Sequence, residues 1–292
     1  MKSHFILYSF PALGTLFWIE VFEDLPINKI SEISEIIKKE IQEFESNYSR
    51  FKESSLTSKL NGDRKLENPP LELLTMLSYA SELYQLTGGV FSVAIGEILE
   101  NYGYDSNFSF SEKEPVLFVN KPLEEIFTLE EGVLNIKDSY KLDLGGMGKG
   151  FLIDKISNLL KEKFNLKYFL INGGGDIFVT SDNENPVEIY LESPLNSDIV
   201  FGSVALKNQS LCASSPHKRK WYGEKSKKEL NHIVDLLNIE KLNSSFVVGP
   251  NATICDTLAT CLCVSEDCFS DVPGVTYLVL DKDGEVIKNT LE

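Results

Sequence analysis

The chain has 292 residues, of which 42% are hydrophobic and 25% are charged, so it can bury a substantial core in one large domain or two small ones. Its formal net charge of -16 argues against nucleic acid or an anionic membrane surface as its main partner. No apolar run approaches the length of a membrane span, and the N-terminal segment lacks the pattern of a signal peptide or a lipoprotein cysteine, so we expect a cytoplasmic protein.

Strand and helix patterns are mixed in the N-terminal half. Runs of apolar residues predict strands at 5–10, 15–22 and 132–136. Apolar residues at helical spacing predict helices at about 30–44, 71–86, 94–101 and 148–163. Residues 106–131 carry mixed signals and are predicted to form loops with short elements.

The C-terminal half is richer in strand patterns. Strands are predicted at 168–171, 177–180, 187–192, 200–206, 232–235 and 246–248, with a hairpin at 277–280 and 285–288. A helix is predicted at 252–265, and the basic segment 218–228 is predicted to be an exposed loop, either docking a partner or merely solvated. Because the elements lack regular βαβ alternation, we expect an α+β fold of mainly antiparallel strands with flanking helices.

The cysteines are concentrated near the C-terminus, and their number is odd. Their spacings fit no familiar zinc pattern, and no histidine lies nearby. We therefore expect reduced thiols that pack as small buried side chains. The five residues are Cys212, Cys255, Cys261, Cys263 and Cys268.

A glycine-rich segment, Leu142–Gly150, is the most informative motif. Asp143 ends an apolar run, glycines surround Lys149, and an amphipathic helix follows. Glycines let the backbone approach a ligand, and helix-start amides together with a lysine favour phosphate, although a tight turn with an exposed lysine gives the same pattern. The spacing excludes a Walker A loop, whose first glycine is replaced by Asp143, and a dinucleotide fingerprint, whose third glycine is replaced by Phe151.

Two further positions carry chemically useful side chains. Asp256 and Thr260 are four residues apart on a predicted helix, so a carboxylate and a hydroxyl share one face and suit a hard cation such as Mg²⁺. The same pair is compatible with a helix start, where Asp256 interacts with the dipole and Thr260 bonds a backbone carbonyl. His232 can be a general base or a structural histidine.

Seven short segments follow one another along the chain: Leu13–Thr15, Tyr48–Phe51 with Ser58–Asn61, Thr87–Phe91, Asp143–Gly150, Asn172–Asp176, Asn231–Asp235 and Asp256–Thr260. In this order they resemble the motifs of the ApbE family of FAD:protein FMN transferases. The chain departs from the family pattern at Ser92, Ala94 and Met147-Gly148, and at Leu236–Asn238, where the family has Pro-x-Thr-Gly.

The resemblance implies one ApbE-like domain over residues 1–292, with two lobes around an FAD cleft. It implies a Mg²⁺-dependent reaction in which FAD is cleaved, FMN is joined to a Thr or Ser hydroxyl of a partner flavoprotein, and AMP leaves. By position, the implied metal ligands are the Gly146 carbonyl, Asp256 and Thr260, and the implied base is His232. The implied FAD-binding residues are Leu13, Phe51, Gly89, Val90, Phe91, Asp143 and Lys149.

Two alternatives to a transferase stay open. The first is an FAD pyrophosphatase, in which water replaces the hydroxyl and FMN and AMP are released; the altered segment after Asp235 is compatible with it. The second is a flavin-binding protein without catalytic activity, against which the presence of His232, Asp256 and Thr260 argues.

Overall fold

The structure is a computed structural model that describes residues 5–114, 117–181, 185–217, 219–236 and 242–291. The helices are α1 (Ile27–Tyr48), α2 (Leu56–Asp63), α3 (Leu71–Leu86), α4 (Gly96–Asn101), α5 (Leu123–Ile126), α6 (Gly148–Glu162) and α7 (Ala252–Val264). The first eight strands are β1 (Phe5–Ala12), β2 (Thr15–Val21), β3 (Lys65–Glu67), β4 (Phe127–Glu130), β5 (Val133–Ile136), β6 (Tyr168–Gly173), β7 (Ile177–Ser181) and β8 (Val187–Glu192). The remaining strands are β9 (Val200–Leu206), β10 (Gln209–Ser214), β11 (Lys220–Gly223), β12 (Lys228–Asn231), β13 (Ser244–Gly249), β14 (Thr276–Leu280) and β15 (Val286–Asn289). Within these ranges no helix combines the length and apolar character that a membrane span requires.

An eight-stranded sheet organises the chain, in the order β1-β2-β6-β7-β10-β13-β14-β15. All neighbouring strands in it pair antiparallel, which confirms the predicted α+β class. β1 runs to Ala12, two residues beyond the predicted end, and Pro11 is tolerated within it because β1 lies at the edge of the sheet. The β1–β2 turn uses positive φ angles at Leu13 and Gly14, of 51° and 72°.

Both faces of the sheet are buried. Along β13, Val247 belongs to the large core beneath the helices, whereas Phe246 and Val248 belong to a second cluster on the opposite face. This alternation follows from the two-residue period of a strand. The β8–β9 hairpin covers the second face with Leu191 and Leu206. The helices therefore occupy only one side of the sheet.

Three local predictions were incomplete or wrong. β10 was missed because its polar and small residues have low strand propensity, yet it pairs between β7 and β13, where sheet contacts override propensity. The predicted strand at 232–235 does not form, because the Asn231 side chain accepts a hydrogen bond from the Ile233 N–H at 2.6 Å and turns the chain. The short α2 was also missed; its N-cap is Ser55, which accepts from the Ser58 N–H.

The basic segment is a hairpin rather than a loop. Residues 220–223 and 228–231 pair antiparallel as β11 and β12, while Lys218 lies outside the described residues. Two of its lysines have acidic partners: Lys220 pairs with Glu229, and Lys225 pairs with Glu114. The predicted buried thiols are confirmed, since all five cysteines are free and buried.

Helices α6 and α7 meet at their N-termini and cap one another. The Gly150 N–H of α6 donates to Asp256 Oδ2 of α7 at 3.0 Å. In return, Asp154 of α6 accepts from the Ala252 and Thr253 N–H groups of α7, both at 2.8 Å. Amides at both helix starts are thus bonded by the neighbouring helix, while the Ile254 N–H of α7 donates to its own N-cap, Asn251.

We predict that Gly150→Ala destabilises the protein. A Cβ at Gly150 would lie 2.3 Å from the Ala252 carbonyl oxygen, so the two helix starts must separate. Overpacking of this kind typically costs about 1–3 kcal/mol of unfolding free energy. The matched control is Gly62→Ala in α2, where a Cβ meets nothing within 4 Å. Urea denaturation should show a loss for the first variant and none for the second; equal stabilities would contradict the close approach.

Candidate active site

Lys149 lies between two buried carboxylates at the start of α6. Its Nζ is 2.8 Å from Asp176 Oδ2, in the turn between β6 and β7, and 2.9 Å from Asp256 Oδ1 in α7. The two carboxylate side chains are only 3% and 2% exposed. Three segments that are distant in sequence therefore meet at one ammonium group.

The charge balance of this cluster is unequal. Burial raises the pKa of Asp176 to about 6, with Asp256 acting in the same direction and Lys149 opposing both. Burial disfavours the charged form of Lys149, but the two carboxylates outweigh it and raise its pKa above the ordinary lysine value. Two carboxylates thus share a single ammonium in a site that excludes most water, and the cluster favours additional positive charge.

The predicted metal ligands lie together at the same helix crossing. The Gly146 carbonyl accepts from Thr257 Oγ1 at 3.4 Å, and a Cβ at Gly146 would be 4.0 Å from Thr260 Cγ2. Thr260 Oγ1 lies 3.2 Å from the Asp256 carbonyl, as the helix-start interpretation expected, and 3.3 Å from Ser214 Oγ of β10. Across the described part of the chain, no group of three or more His, Cys, Asp or Glu side chains could hold a metal ion.

Asp143 is anchored separately from Lys149. It forms a buried ion pair with Arg50 Nε, and its Oδ1 accepts from the Gly145 N–H at 2.7 Å. Asn61 fixes the preceding residue, Leu142, by bonding both its N–H and its carbonyl. The two charged residues of the glycine-rich segment therefore have different partners, a difference that their spacing in the sequence does not reveal.

Phe51 belongs to an aromatic group at the loop after α4. Its ring stacks on Phe108 with centroids 4.9 Å apart and meets Tyr104 edge-on at 5.3 Å. Tyr104 also packs against Trp221 of β11, with centroids 5.9 Å apart. Phe108 is 48% exposed, so this aromatic group reaches the surface of the molecule.

Arg219 joins this aromatic group to the β1–β2 turn. Its Nη1 donates to the Tyr104 hydroxyl at 2.9 Å, and its Nη2 donates to the Gly14 carbonyl at 2.8 Å. The neighbouring Leu13 is held by its N–H, which donates to Glu45 Oε1 at 2.9 Å. Predicted residues from the N-terminal turn and from the aromatic group are thus brought to one side of the molecule.

His232 follows β12 and lies near the same group, 6.5 Å from the Tyr104 ring. Burial lowers its pKa to about 4, and the Arg219 charge acts in the same direction. Its Nδ1 is buried and has no hydrogen-bond partner among the described residues. At neutral pH the ring is therefore uncharged.

The turn after α3 positions the last predicted residues. Thr87 Oγ1 accepts from the Phe91 N–H at 3.1 Å, and Gly89 has a φ of 84°. Val90 and Phe91 are buried, and Phe91 Cε2 lies 3.3 Å from where a Gly146 Cβ would stand. Gly89 instead faces Tyr84 and Asn120. Phe91 therefore packs beside Gly146, one of the predicted metal ligands, while Gly89 shapes the turn that carries Phe91.

Sequence reasoning missed three charged residues of the site: Arg50, Asp176 and Arg219. Arg50 and Asp176 stand inside quoted motifs, directly before Phe51 and directly after Gly173–Gly175. A buried-type strand that ends in glycines and a carboxylate was an available signal for Asp176. Arg219 had none, since it lies within a generally basic segment.

Comparison with known proteins identifies the family. Residues 13–268 match the sequence profile described as the ApbE family. The chain belongs to the ApbE family.

Two curated relatives are both named FAD:protein FMN transferase. The relative from Buchnera aphidicola is 25% identical over 223 residues, covering 70% of this chain and 63% of that protein. The relative from Klebsiella pneumoniae is 28% identical over 123 residues, covering 41% and 36%. The matches thus span less than two thirds of each relative's length.

Solved structures show the ApbE fold over nearly the whole chain. The ApbE protein of Thermotoga maritima superposes with a TM-score of 0.83 at 21% identity, covering 99% of this chain and 97% of that one. The flavin transferase ApbE of Vibrio cholerae gives a TM-score of 0.73 at 20% identity, with the same coverage. The flavinyl transferase ApbE of Pseudomonas stutzeri gives 0.78 at 15% identity, covering 97% and 92%.

We predict that His232 of this ApbE protein stays unprotonated down to about pH 5, because its pKa is lowered to about 4. NMR of the ring between pH 8 and pH 5 should show no titration, whereas the urea-unfolded chain should titrate near pH 6.5. The Arg219→Gln variant should move the midpoint upward, because it removes a nearby positive charge. Loss of the signal in His232→Gln assigns it, and a wild-type midpoint near pH 6.5 would contradict the burial of this ring.

Proposed function

We propose that this protein is an FAD:protein FMN transferase, which moves FMN from FAD to a Thr or Ser hydroxyl of a partner flavoprotein and releases AMP in a Mg²⁺-dependent reaction. The observation that carries the proposal is the cluster at the α6–α7 crossing. There Asp256 and Thr260 are four residues apart on α7, and the Gly146 carbonyl approaches the same helix at Thr257 Oγ1. The names of the ApbE relatives support the same activity.

The donor set at the crossing fits magnesium. Mg²⁺ prefers hard oxygen ligands and is commonly held by one or two carboxylates and completed by substrate phosphates. Asp256 supplies the carboxylate, Thr260 a hydroxyl and Gly146 a backbone carbonyl. The excess of carboxylate over ammonium charge around Lys149 favours a cation there as well. A bound Mg²⁺ would neutralise charge that develops on the pyrophosphate.

Lys149 has a second role in the proposal. Its ammonium is held by Asp176 and Asp256 at the N-terminus of α6, where helix amides also favour anions. A lysine at such a point supplies a compact positive charge suited to a phosphate oxygen. We assign Lys149 to the phosphates of FAD, with Leu13, Phe51, Val90 and Phe91 lining the ring pockets.

His232 is the proposed base for the acceptor hydroxyl. The uncharged imidazole can take a proton, and its buried Nδ1 has no competing partner within the described ranges. Proton removal makes the hydroxyl oxygen a stronger nucleophile toward phosphorus. Gly89 and Asp143 support neighbouring residues in this proposal. Gly89 shapes the turn that carries Phe91, and Asp143 accepts a hydrogen bond from the Gly145 N–H.

We also propose that residues 1–292 act as one ApbE-like domain, with FAD in a cleft between two lobes. The shared eight-stranded sheet supports one domain, because strands from both ends of the chain pair within it. The segment at Leu236–Asn238, which departs from the family pattern, lies mostly outside the described residues.

One assay separates the proposal from its alternatives. The purified protein is mixed with FAD, Mg²⁺ and a candidate flavoprotein, and AMP release and in-gel flavin fluorescence are followed. AMP together with a fluorescent acceptor band supports the transferase. AMP with free FMN and no labelled acceptor supports a pyrophosphatase, and bound FAD without AMP supports a flavin-binding protein.

We predict that Asp256→Asn lowers Mg²⁺-dependent AMP release by at least about 100-fold, the scale expected when a metal ligand is lost. The matched control is Asp271→Asn, which neutralises an exposed carboxylate in the segment after α7. The control should keep wild-type rates. Unchanged AMP release in Asp256→Asn would remove this carboxylate from the proposed metal site.

We predict that His232→Ala still binds FAD but loses FMN transfer by about 100-fold or more, because general-base catalysis typically contributes 10²–10⁴-fold. FAD affinity is measured by flavin fluorescence, and transfer by acceptor labelling. A folded variant that no longer binds FAD would make this histidine a pocket residue instead of the base.

A further inference from the structure

We propose that Arg50 is a positioning residue for the metal-binding turn, acting through Asp143. This inference rests on the proposed function, because it concerns the Gly146 carbonyl as a magnesium ligand. It assigns to Arg50 the task of holding that carbonyl in place rather than a direct contact with the metal.

Both oxygens of Asp143 are already used by the protein. Oδ2 pairs with Arg50 Nε, and Oδ1 accepts from the Gly145 N–H at 2.7 Å. The two side chains are buried, with only 3% of Arg50 and 9% of Asp143 exposed. The carboxylate therefore connects the guanidinium on one side to the backbone of the glycine turn on the other.

That backbone contact fixes the turn next to the metal ligand. A Cβ at Gly145 would lie 2.8 Å from Asp143 Oδ1, so the turn and the carboxylate are in close contact. Gly146 follows directly, and its carbonyl already faces the Thr257 hydroxyl of α7. Rotation of the Asp143 carboxylate would release the Gly145 N–H, and the peptide that carries the Gly146 carbonyl could then turn away from α7.

Arg50 is itself held in one orientation. Its Nη2 donates to the Tyr104 carbonyl at 2.7 Å, and its guanidinium carbon lies 4.3 Å from the Phe51 ring centroid. Its own carbonyl accepts from Ser58 Oγ at 3.1 Å. A planar guanidinium can satisfy a carboxylate, a carbonyl and an aromatic face together, whereas a lysine ammonium is a point charge without this fork. The function of Arg50 therefore depends on its shape as well as on its charge.

Arg50→Lys is the informative variant, because it keeps the positive charge beside buried Asp143. Removing the charge altogether would leave an unpaired buried carboxylate and risk unfolding. The double variant Arg50→Gln/Asp143→Asn avoids that risk by replacing the ion pair with two neutral amides. The matched control is Arg64→Lys, which alters a guanidinium that donates to the Tyr140 carbonyl, outside the Asp143 contacts.

Three quantities are measured for each variant. They are the Mg²⁺ concentration for half-maximal AMP release, the affinity for Mn²⁺ in the presence of FAD by electron paramagnetic resonance, and the FAD affinity in EDTA. Thermal unfolding reports whether each variant is folded. For Arg50→Lys and for the double variant, we expect about a tenfold rise in the Mg²⁺ requirement and a matching loss of Mn²⁺ affinity. FAD affinity in EDTA should stay within about threefold of wild type in Arg50→Lys, which leaves Asp143 in place, and Arg64→Lys should resemble wild type throughout.

A double-mutant cycle tests the route through Asp143. On an Asp143→Asn background, Arg50→Lys should add little further rise in metal requirement, because residues that act in series are not additive. A full additional tenfold rise, or a loss of FAD affinity in EDTA with an unchanged metal requirement in the single Arg50→Lys variant, would overturn the inference. If the wild-type protein releases no AMP at any Mg²⁺ concentration, the proposed function fails, while the Mn²⁺ affinities still test Arg50.

Discussion

The close approach of two helix starts at Gly150 is the constraint on which the candidate site depends. Only a residue without a Cβ lets the α6 backbone reach the Ala252 carbonyl of α7. At that separation Asp256 can accept from the Gly150 N–H, and Asp154 can accept from the first amides of α7. The same carboxylate that caps α6 also holds Lys149, so helix capping and site electrostatics share one side chain.

The cluster is arranged so that its negative charge is not fully compensated. In a buried setting, two carboxylates with one ammonium are stable only when further positive charge or protons are supplied. The raised pKa of Asp176 corresponds to the first alternative, in which this carboxylate takes up a proton. The divalent ion proposed near Asp256 would be the other alternative. The ammonium of Lys149 already supplies part of this compensation.

The α+β class and most of the segments that meet at the candidate site could be predicted from the sequence alone, because local residue patterns indicate both. Glycines around Lys149, and a carboxylate four residues before a hydroxyl in an apolar helix, are signals that need no tertiary information. The family resemblance added their order along the chain. β10 was not predicted, because it forms a strand through its pairing with β7 and β13 and not through the strand propensity of its own residues.

The charge partners could not be predicted in the same way. Arg50 and Asp143 are 93 residues apart, and Lys149 and Asp256 are 107 apart, so no periodicity connects them. Their burial also depends on the assembled sheet. Asp143 and Lys149 lie in one short motif, yet they have different partners. Asp143 pairs with an arginine from the α1–α2 connection, whereas Lys149 pairs with two carboxylates.

Arg219 reaches back to the Gly14 carbonyl across 205 residues of sequence. Forming a contact of that span costs loop-closure entropy, which only the cooperative folding of the intervening chain can offset. The β1–β2 turn and the aromatic group around Tyr104 are therefore joined only in the folded protein, and a change that unfolds either one releases the other.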